Sequence, residues 1–406
     1  MKRHDVLILG AGPAGLSCAA RLAELGVRDI VILERESVAG GVPRHCGHTA
    51  FGLREFSRLM SGPAYASRLA ASASNIGIRT RTTVTAIAPG GVVDIVDPES
   101  GPDRVAGRAV LLAFGVRETP RSARLVSGDR PWGVTTTGAL QQFVYLEHRK
   151  PFQRAVVVGS ELVAFSALLT LRHAKIECAA MIEAGPRITA RRPGDWFARL
   201  ALSVPVLTRT DLTAIHGGAK VEGVEIEYAG QQRRIACDGV IFTGQFRPET
   251  ATLATSHLAL DPSTGGPMID QYWRASDPAY FVAGNLLRPV ETAGVAYAEG
   301  RAAAQSIAAS LAGKLPAAER MIALSAAAPL KYIYPQRLAL PLAGLSPLLL
   351  KARIQHQAHG RLRLSAGGRE LWSRAMTALP ERRLSIPVSL LPQGEVDDIA
   401  VDFIEG

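Results

Sequence analysis

The first stretch of the chain to bury itself is Asp5-Val6-Leu7-Ile8-Leu9, a continuous apolar run bounded by Gly10. A run without polar alternation predicts a parallel strand covered on both faces. A glycine turn follows, then an apolar stretch from Leu16 to Leu25 that reads as a helix. Gly26 ends that helix as a left-handed C′ residue would. Ile30-Val31-Ile32-Leu33 is the next apolar run, and it ends in Glu34. The same order returns near residue 155. Ala155-Val156-Val157-Val158 predicts a strand, Gly159 starts a turn, and Leu162 to His173 predicts a helix. Cys178 to Ile182 is then a strand ending in Glu183. The repetition implies two nucleotide-type α/β units in one chain.

Residues 78–96 and 104–113 alternate as half-buried strands do, and 221–242 reads as a β meander closing on the strand Gly239 to Phe242. Tyr280-Phe281-Val282-Ala283-Gly284 is another short strand, followed by a helix through about Leu311. Gly313 to Pro316 reads as a linker. Short strand-like runs such as Arg361 to Leu364 and Leu384 to Val388 then mark a small C-terminal module.

Composition narrows the class. Of 406 residues, 47% are hydrophobic and 20% charged, enough to build large cores. Four Cys in that length exclude a disulfide scaffold. The net charge is +10, but the basic residues are scattered and form no aromatic-laced block, so no nucleic-acid role is expected. No apolar span reaches the roughly 18–20 residues of a membrane helix. The nearest, Leu338 to Leu350, is broken by Pro341, Gly344 and Pro347. The N-terminal run leads straight into a turn, unlike a signal peptide, and a cytoplasmic location is expected.

Gly10-x-Gly12-x-x-Gly15 has the spacing of a dinucleotide fingerprint. The first glycine permits the tight turn, the second lets backbone approach a pyrophosphate, and the third lets helix and strand pack closely. The helix N-terminus beyond it offers free amides to phosphate. Glu34, at the end of the next strand, is placed to accept ribose hydroxyls.

With Gly40-Gly41 following, the chain resembles the two-dinucleotide-domain flavoproteins related to pyridine nucleotide-disulfide oxidoreductases, over roughly residues 1–312. Tyr280 to Asn285 resembles that family's strand-Gly-Asp segment, with Asn285 in place of Asp. Leu111 to Gly115 resembles its Ala-Thr-Gly strand end, with Phe114 in place of Thr. A closer resemblance lies in Gly40-Gly41-Val42-Pro43-Arg44-His45-Cys46-Gly47-His48 through Phe56, in Gly62 to Ala66, and in Pro131 to Gln141. It is to the FAD subunits of opine oxidase, cyanide synthase and hydroxyproline-type dehydrogenases, and to flavoproteins associated with glycerol 3-phosphate oxidation.

The resemblance implies an α/β fold of two Rossmann-like three-layer domains, the second inserted in the first, plus a small C-terminal α+β module. The FAD domain would span 1–120 and 240–315, the second nucleotide-type domain 121–239, and the module 320–406. FAD would contact Gly10, Gly12, Pro13, Ala14, Gly15, Glu34, Arg35, Gly41, Arg44, Val84, Ala113, Gly115, Gly284, Asn285, Thr292 and Ala293. Arg288 and Glu291 are weaker candidates beside Thr292.

The second unit departs from the NAD(P)-binding pattern. Gly159, Glu161 and Ala164 stand where three glycines belong. Glu161 puts a side chain and a negative charge where a pyrophosphate would pass. Glu183 would still accept a ribose. The expectation is a degenerate site that takes NAD(P) poorly.

Cys18, Cys46, Cys178 and Cys237 form no Cys-x-x-Cys pair, so disulfide reduction is not expected. His45, Cys46 and His48 are the candidate catalytic groups, with proton transfer for the histidines and a thiolate or a merely packed residue for Cys46. Arg44 could hold a substrate carboxylate or an FAD phosphate, or lie solvated in its loop. No metal site is expected from this spacing. The function implied is FAD-dependent oxidation of a small amine, amino acid or hydroxy acid, with other redox subunits, iron–sulfur or flavin, as partners. The alternatives are an NAD(P)H-dependent flavin reductase feeding a partner, and a non-enzymatic nucleotide-binding scaffold.

Overall fold

A computed structural model describes residues 1–190, 194–340, 349–387 and 398–406. The middle of the apolar run Leu338 to Leu350, and Val388, lie outside the described residues. The chain forms two compact units. One holds residues 1–41, 66–116 and 248–406, the other 42–65 and 117–247.

In the first unit the continuous apolar runs become parallel strands. Lys2–Leu9 is flanked by Ile30–Leu33 and Gly101–Leu112, all parallel. Gly77–Arg79 extends one side and Tyr280–Val282 the other. Val6 to Leu9 are fully buried, as a strand covered on both faces requires. On its edge away from Lys2–Leu9, the strand Gly101–Leu112 is long enough to serve two partners. Its last residues pair with Tyr280–Val282, while its first half pairs antiparallel with Val92–Asp97, which pairs in turn with Thr83–Ala88.

The helix Pro13–Glu24 begins with proline at its first turn, where the missing amide costs nothing. It ends in a Schellman arrangement. Gly26 takes φ +86°, its amide bonds Ala23 O, and the Val27 amide bonds Leu22 O. The long helix Ala293–Leu311 packs against it closely. Ser17 Oγ donates to Tyr297 O, and a side chain on Gly300 would meet Ala14 O at 2.1 Å.

The second unit repeats the plan. Val134–Thr136, Gly239–Phe242, Arg154–Val158, Glu177–Glu183 and Val206–Thr208 form a five-stranded parallel sheet in that order. The helix Leu162–His173 lies beside it, its Ala164, Leu168 and Leu171 buried in the same core as Val157 and Met181. The meander expected over 221–242 is met only in part: Gly223–Tyr228 and Gln231–Ala236 pair antiparallel after Thr210–His216, whereas Gly239–Phe242, expected to close the meander, joins the parallel sheet instead.

The C-terminal segment departs from expectation. Between 320 and 406 the described residues hold strands and no helix, so the module is β rather than α+β. Arg320–Ala326 and the strands Arg337–Leu340, Ala358–Ala366, Arg369–Ala378 and Ile399–Glu405 make one sheet. Leu330–Tyr334, Leu349–Ile354 and Leu384–Pro387 make another. Both line one apolar core that includes Leu338, Leu350, Leu364 and Ile386. Its runs alternate, as in Leu362 and Leu364, and alternation is the signature of strands with one dry face.

Candidate dinucleotide site and the second glycine turn

The first turn gathers most of the expected cofactor residues. Gly10 takes φ +110°, and a Cβ there would lie 2.6 Å from Ala113 O. A Cβ on Gly15 would lie 1.9 Å from Gly10 O. Both glycines are therefore demanded by the chain itself. Gly12 is different. Its backbone is extended, and a Cβ would meet nothing within 4 Å. Nothing in the fold requires glycine there, and the space beside it is open. An open cradle at a helix N-terminus fits a pyrophosphate.

Glu34 is buried beside that turn. Its Oε2 accepts from the Ala11 amide at 2.7 Å and its Oε1 from the Glu36 amide at 2.9 Å. A carboxylate can accept further hydrogen bonds, so ribose hydroxyls remain within its reach. Gly41 approaches from the next loop, where a Cβ would lie 2.8 Å from Gly12 Cα. Val84 packs with Leu33 in the same apolar cluster. The Ala113 amide bonds Leu9 O, and Gly115 takes φ +75° with open space beside it. Gly284 abuts Ala14, its Cβ position 2.9 Å from Ala14 Cβ. Thr292 and Ala293 begin the long helix. Arg35 points outward, 62% exposed, with ion pairs to Glu36 and Glu249.

Asn285 ties its own loop. Its Oδ1 accepts from the Glu291 amide at 2.8 Å, and its Nδ2 donates to Glu291 O at 3.0 Å. An aspartate could make only the first of these bonds. That gives Asn its physical reason at this position.

The second turn copies the backbone of the first and fills the space. Gly159 takes φ +113°, and its amide bonds Ile182 O at 2.9 Å, as Gly10 bonds Leu33 O at 2.8 Å. The Thr243 amide bonds Val158 O just as Ala113 bonds Leu9 O. Between these turns lies the Glu161 carboxylate. Thr243 Oγ1 donates to its Oε2 at 2.7 Å. Its oxygens sit 2.8 Å from the Cβ position of Gly159 and 2.1 Å from that of Gly244. Arg124 donates to Thr243 O and Gly244 O from nearby. Burial pushes the Glu161 carboxyl up, against the opposing pull of Thr243. Glu183 is engaged as well. It accepts from Ser160 Oγ, from the Gly185 amide at 2.8 Å and from Thr189 Oγ1 at 3.5 Å.

Arg44, His45, Cys46 and His48 lie in the second unit. Burial, and then the Arg44 guanidinium, hold His45 down at about 4. His48 Nε2 lies 2.9 Å from Ser166 Oγ, and its ring stacks on Phe51. Burial lowers it too. Cys46 Sγ donates to Val42 O at 3.4 Å and to Gln141 Oε1 at 3.5 Å. Burial, and then the Glu118 carboxylate, push this thiol up to about 12. Cys178 is pushed up to about 12 and Cys237 to about 11 by burial, and Cys18 higher still. None of the four is a low-pKa thiolate of the kind exchange chemistry needs. Among the described residues no group of three or more His, Cys, Asp or Glu could hold a metal ion.

Sequence reasoning missed Glu118, Ser160 and the Thr243–Gly244 turn. Glu118 accepts from the Gly138 amide at 2.7 Å and the Gly244 amide at 3.3 Å. The repeat held a signal for one of these. Thr243-Gly244 follows its strand as Ala113 to Gly115 follows the equivalent strand of the first unit.

Comparison with known proteins agrees with this geometry. The family model "Pyridine nucleotide-disulphide oxidoreductase" matches residues 4–300. The alpha chain of sarcosine oxidase from Rhizobium meliloti (strain 1021) is 26% identical over 336 residues, 78% of this chain and 30% of that protein. An opine oxidase subunit of the same organism is 28% identical over 343 residues, 77% of this chain and 72% of that protein. The chain thus spans under a third of the sarcosine oxidase protein. The thioredoxin reductase of T. acidophilum shares the fold, with a TM-score of 0.65, 24% identity, and coverage of 76% of this chain and 99% of that one. No helix among the described residues is long and apolar enough to cross a membrane. With the family model covering both glycine turns and the cradle at Gly12 fitting the cofactor its members share, this chain belongs to the pyridine nucleotide-disulphide oxidoreductase family of FAD-binding flavoproteins.

Proposed function

We propose that the chain is a dehydrogenase subunit that oxidises a small amine, amino acid or hydroxy acid. In this reading its electrons leave to a partner protein, a quinone or oxygen, and are not exchanged with NAD(P)H. The observation that carries the proposal is the Glu161 carboxylate, lodged against Gly159 and Gly244 where the first turn leaves open space at Gly12. A phosphate chain entering the second turn would meet the Glu161 carboxyl group, which already occupies the turn. The names of two relatives, which belong to a sarcosine oxidase and an opine oxidase, support the substrate class and the role within a larger complex.

FAD, when bound at the first turn, supplies the hydride acceptor. The chain supplies position and proton handling. The open turn and the helix N-terminus would hold the pyrophosphate, and Glu34 would hold a ribose. His45, held neutral at physiological pH by burial, is the candidate proton-handling group of the second unit. Cys46 stays a thiol at that pH and serves as a packed group. The lack of a paired, acidic thiol speaks against disulfide reduction.

The test is anaerobic mixing of the FAD-loaded protein with a panel of amines, amino acids and hydroxy acids, following flavin absorbance. Bleaching by one substrate class is expected. A flavin bleached by none of them, yet reduced promptly by NADH, would return the protein to the reductase reading.

A further inference from the structure

The three-stranded C-terminal sheet has two unlike faces. Ile333, Leu350, Ala352, Leu384 and Ile386 enter the apolar core. The alternate positions pair Tyr332 with Arg353 and Tyr334 with Lys351 across the strands. These four side chains meet the segment 289–299. Tyr332 Oη donates to Pro289 O at 3.4 Å, and Tyr334 Oη to Glu299 Oε1 at 3.1 Å. Arg353 donates to Val290 O at 3.0 Å and to Glu291 Oε1 at 3.2 Å. Lys351 Nζ lies 3.9 Å from Glu299, and Arg383 lies 3.5 Å from Glu291.

The same two carboxylates hold the loop from within. Glu299 Oε2 accepts from the Gly284 amide at 3.2 Å, and both its oxygens accept from Arg288. Arg288 is 1% exposed and lies 4.0 Å from the centre of the Tyr334 ring. The Glu291 backbone is tied to Asn285 on both sides. Arg288, Lys351, Arg353 and Arg383 thus surround two buried carboxylates, leaving positive charge in excess at the start of the helix Ala293–Leu311.

We propose that the C-terminal strands are a brace for flavin: Tyr334, Lys351 and Arg353, acting through Glu299 and Glu291, position Gly284 to Ala293 against the cofactor. These are positioning residues, and the proposal rests on the assignment of FAD to the first unit. It follows from the chain of contacts that substitutions in the brace loosen the loop while leaving every residue of the glycine turn in place. The excess positive charge also favours the electron-rich reduced flavin over the oxidised one.

The experiment compares the full-length protein with Tyr334→Phe, Arg353→Met and Arg353→Lys. For each, the FAD dissociation constant, the flavin midpoint potential, and the thermal midpoints of the FAD-free and FAD-loaded forms are measured. The expected result is FAD binding at least about tenfold weaker in Arg353→Met, with partial recovery in Arg353→Lys and a lower midpoint potential. Tyr334→Phe, which keeps the ring, is expected to bind FAD more weakly with the FAD-free thermal midpoint nearly unchanged. Unaltered FAD affinity and potential, with both thermal midpoints falling together, would overturn the proposal and leave the strands a purely structural cover. Should Arg353→Met not fold, the Tyr334→Phe comparison decides alone. A wild-type chain that takes up no FAD would instead refute the cofactor assignment beneath it.

Discussion

The two glycine turns of this chain share a backbone and differ in what they contain. Gly10 and Gly159 take nearly the same φ, and each bonds the end of the following strand. In the first turn the space beyond Gly12 is empty of protein. In the second, the carboxylate of Glu161 lies between Gly159 and Gly244, with Thr243 as its donor. The acidic strand ends differ in the same way. The Glu34 carboxylate accepts from the Ala11 and Glu36 amides, whereas that of Glu183 accepts from the hydroxyls of Ser160 and Thr189 as well as the Gly185 amide. The lesson is that one backbone turn can be left open in one unit and filled by a side chain in the other. The second unit retains the sheet, the helix and the turn, because those rest on apolar runs and on backbone hydrogen bonds that no ligand supplies.

Substitutions that exchange the two turns should show this most strongly. Gly12→Glu places in the first turn what the second already carries. FAD affinity is expected to fall by at least about 100-fold, roughly 3 kcal/mol, read by fluorescence titration of the FAD-free protein. Retained FAD would contradict the site assignment. The reverse change, Glu161→Gly, opens the second turn. NADH binding is expected to rise by about tenfold in a calorimetric titration, with FAD binding unchanged. The gain stays modest because Glu183 remains engaged by Ser160.

Charge without shape is tested by Glu161→Gln. Burial raises the folded-state pKa of Glu161 above its unfolded value, so the folded chain holds this proton more tightly. Native stability is therefore greatest, from this group, below the unfolded pKa of about 4.3, and falls as pH rises from there through the folded pKa. The Gln variant should be the more stable protein at neutral pH, by denaturant melts, and the advantage should vanish below about pH 4. An advantage independent of pH would point to packing and not to charge.

The smallest difference concerns the helix ends. Both turn helices close with the same backbone bonds, but Gly26 holds the left-handed position in one and Lys175, at φ +54°, in the other. Lys175→Gly is expected to stabilise by about 1 kcal/mol and Gly26→Lys to cost about the same. Thermal midpoints moving the same way in both would break the parallel.

Much of this architecture was legible in the residues. The helix Leu162–His173 lies where the periodicity placed it, and the strand Gly101–Leu112 takes in all but the last residue of the expected 104–113. Continuous apolar runs and glycine turns depend on local chemistry, and a sequence displays that directly. The C-terminal segment was harder. Its short alternating runs announce strands, but their pairing is non-local, and no helix accompanies them among the described residues. At the second turn, Glu161 was readable as an obstacle. That its carboxylate would bond Thr243 and cover Gly244, 83 positions along the chain, was not. His45 and Cys46 were readable as reactive types, but the burial that moves them to about 4 and about 12 arises from packing in the folded unit.

The central claim is that the first turn serves a dinucleotide and the second does not. It is tested most directly by anaerobic titration of the FAD-loaded protein with NADH, following flavin absorbance. The account predicts an unbleached flavin that a mild chemical reductant still reduces. Prompt, stoichiometric bleaching by NADH would contradict it.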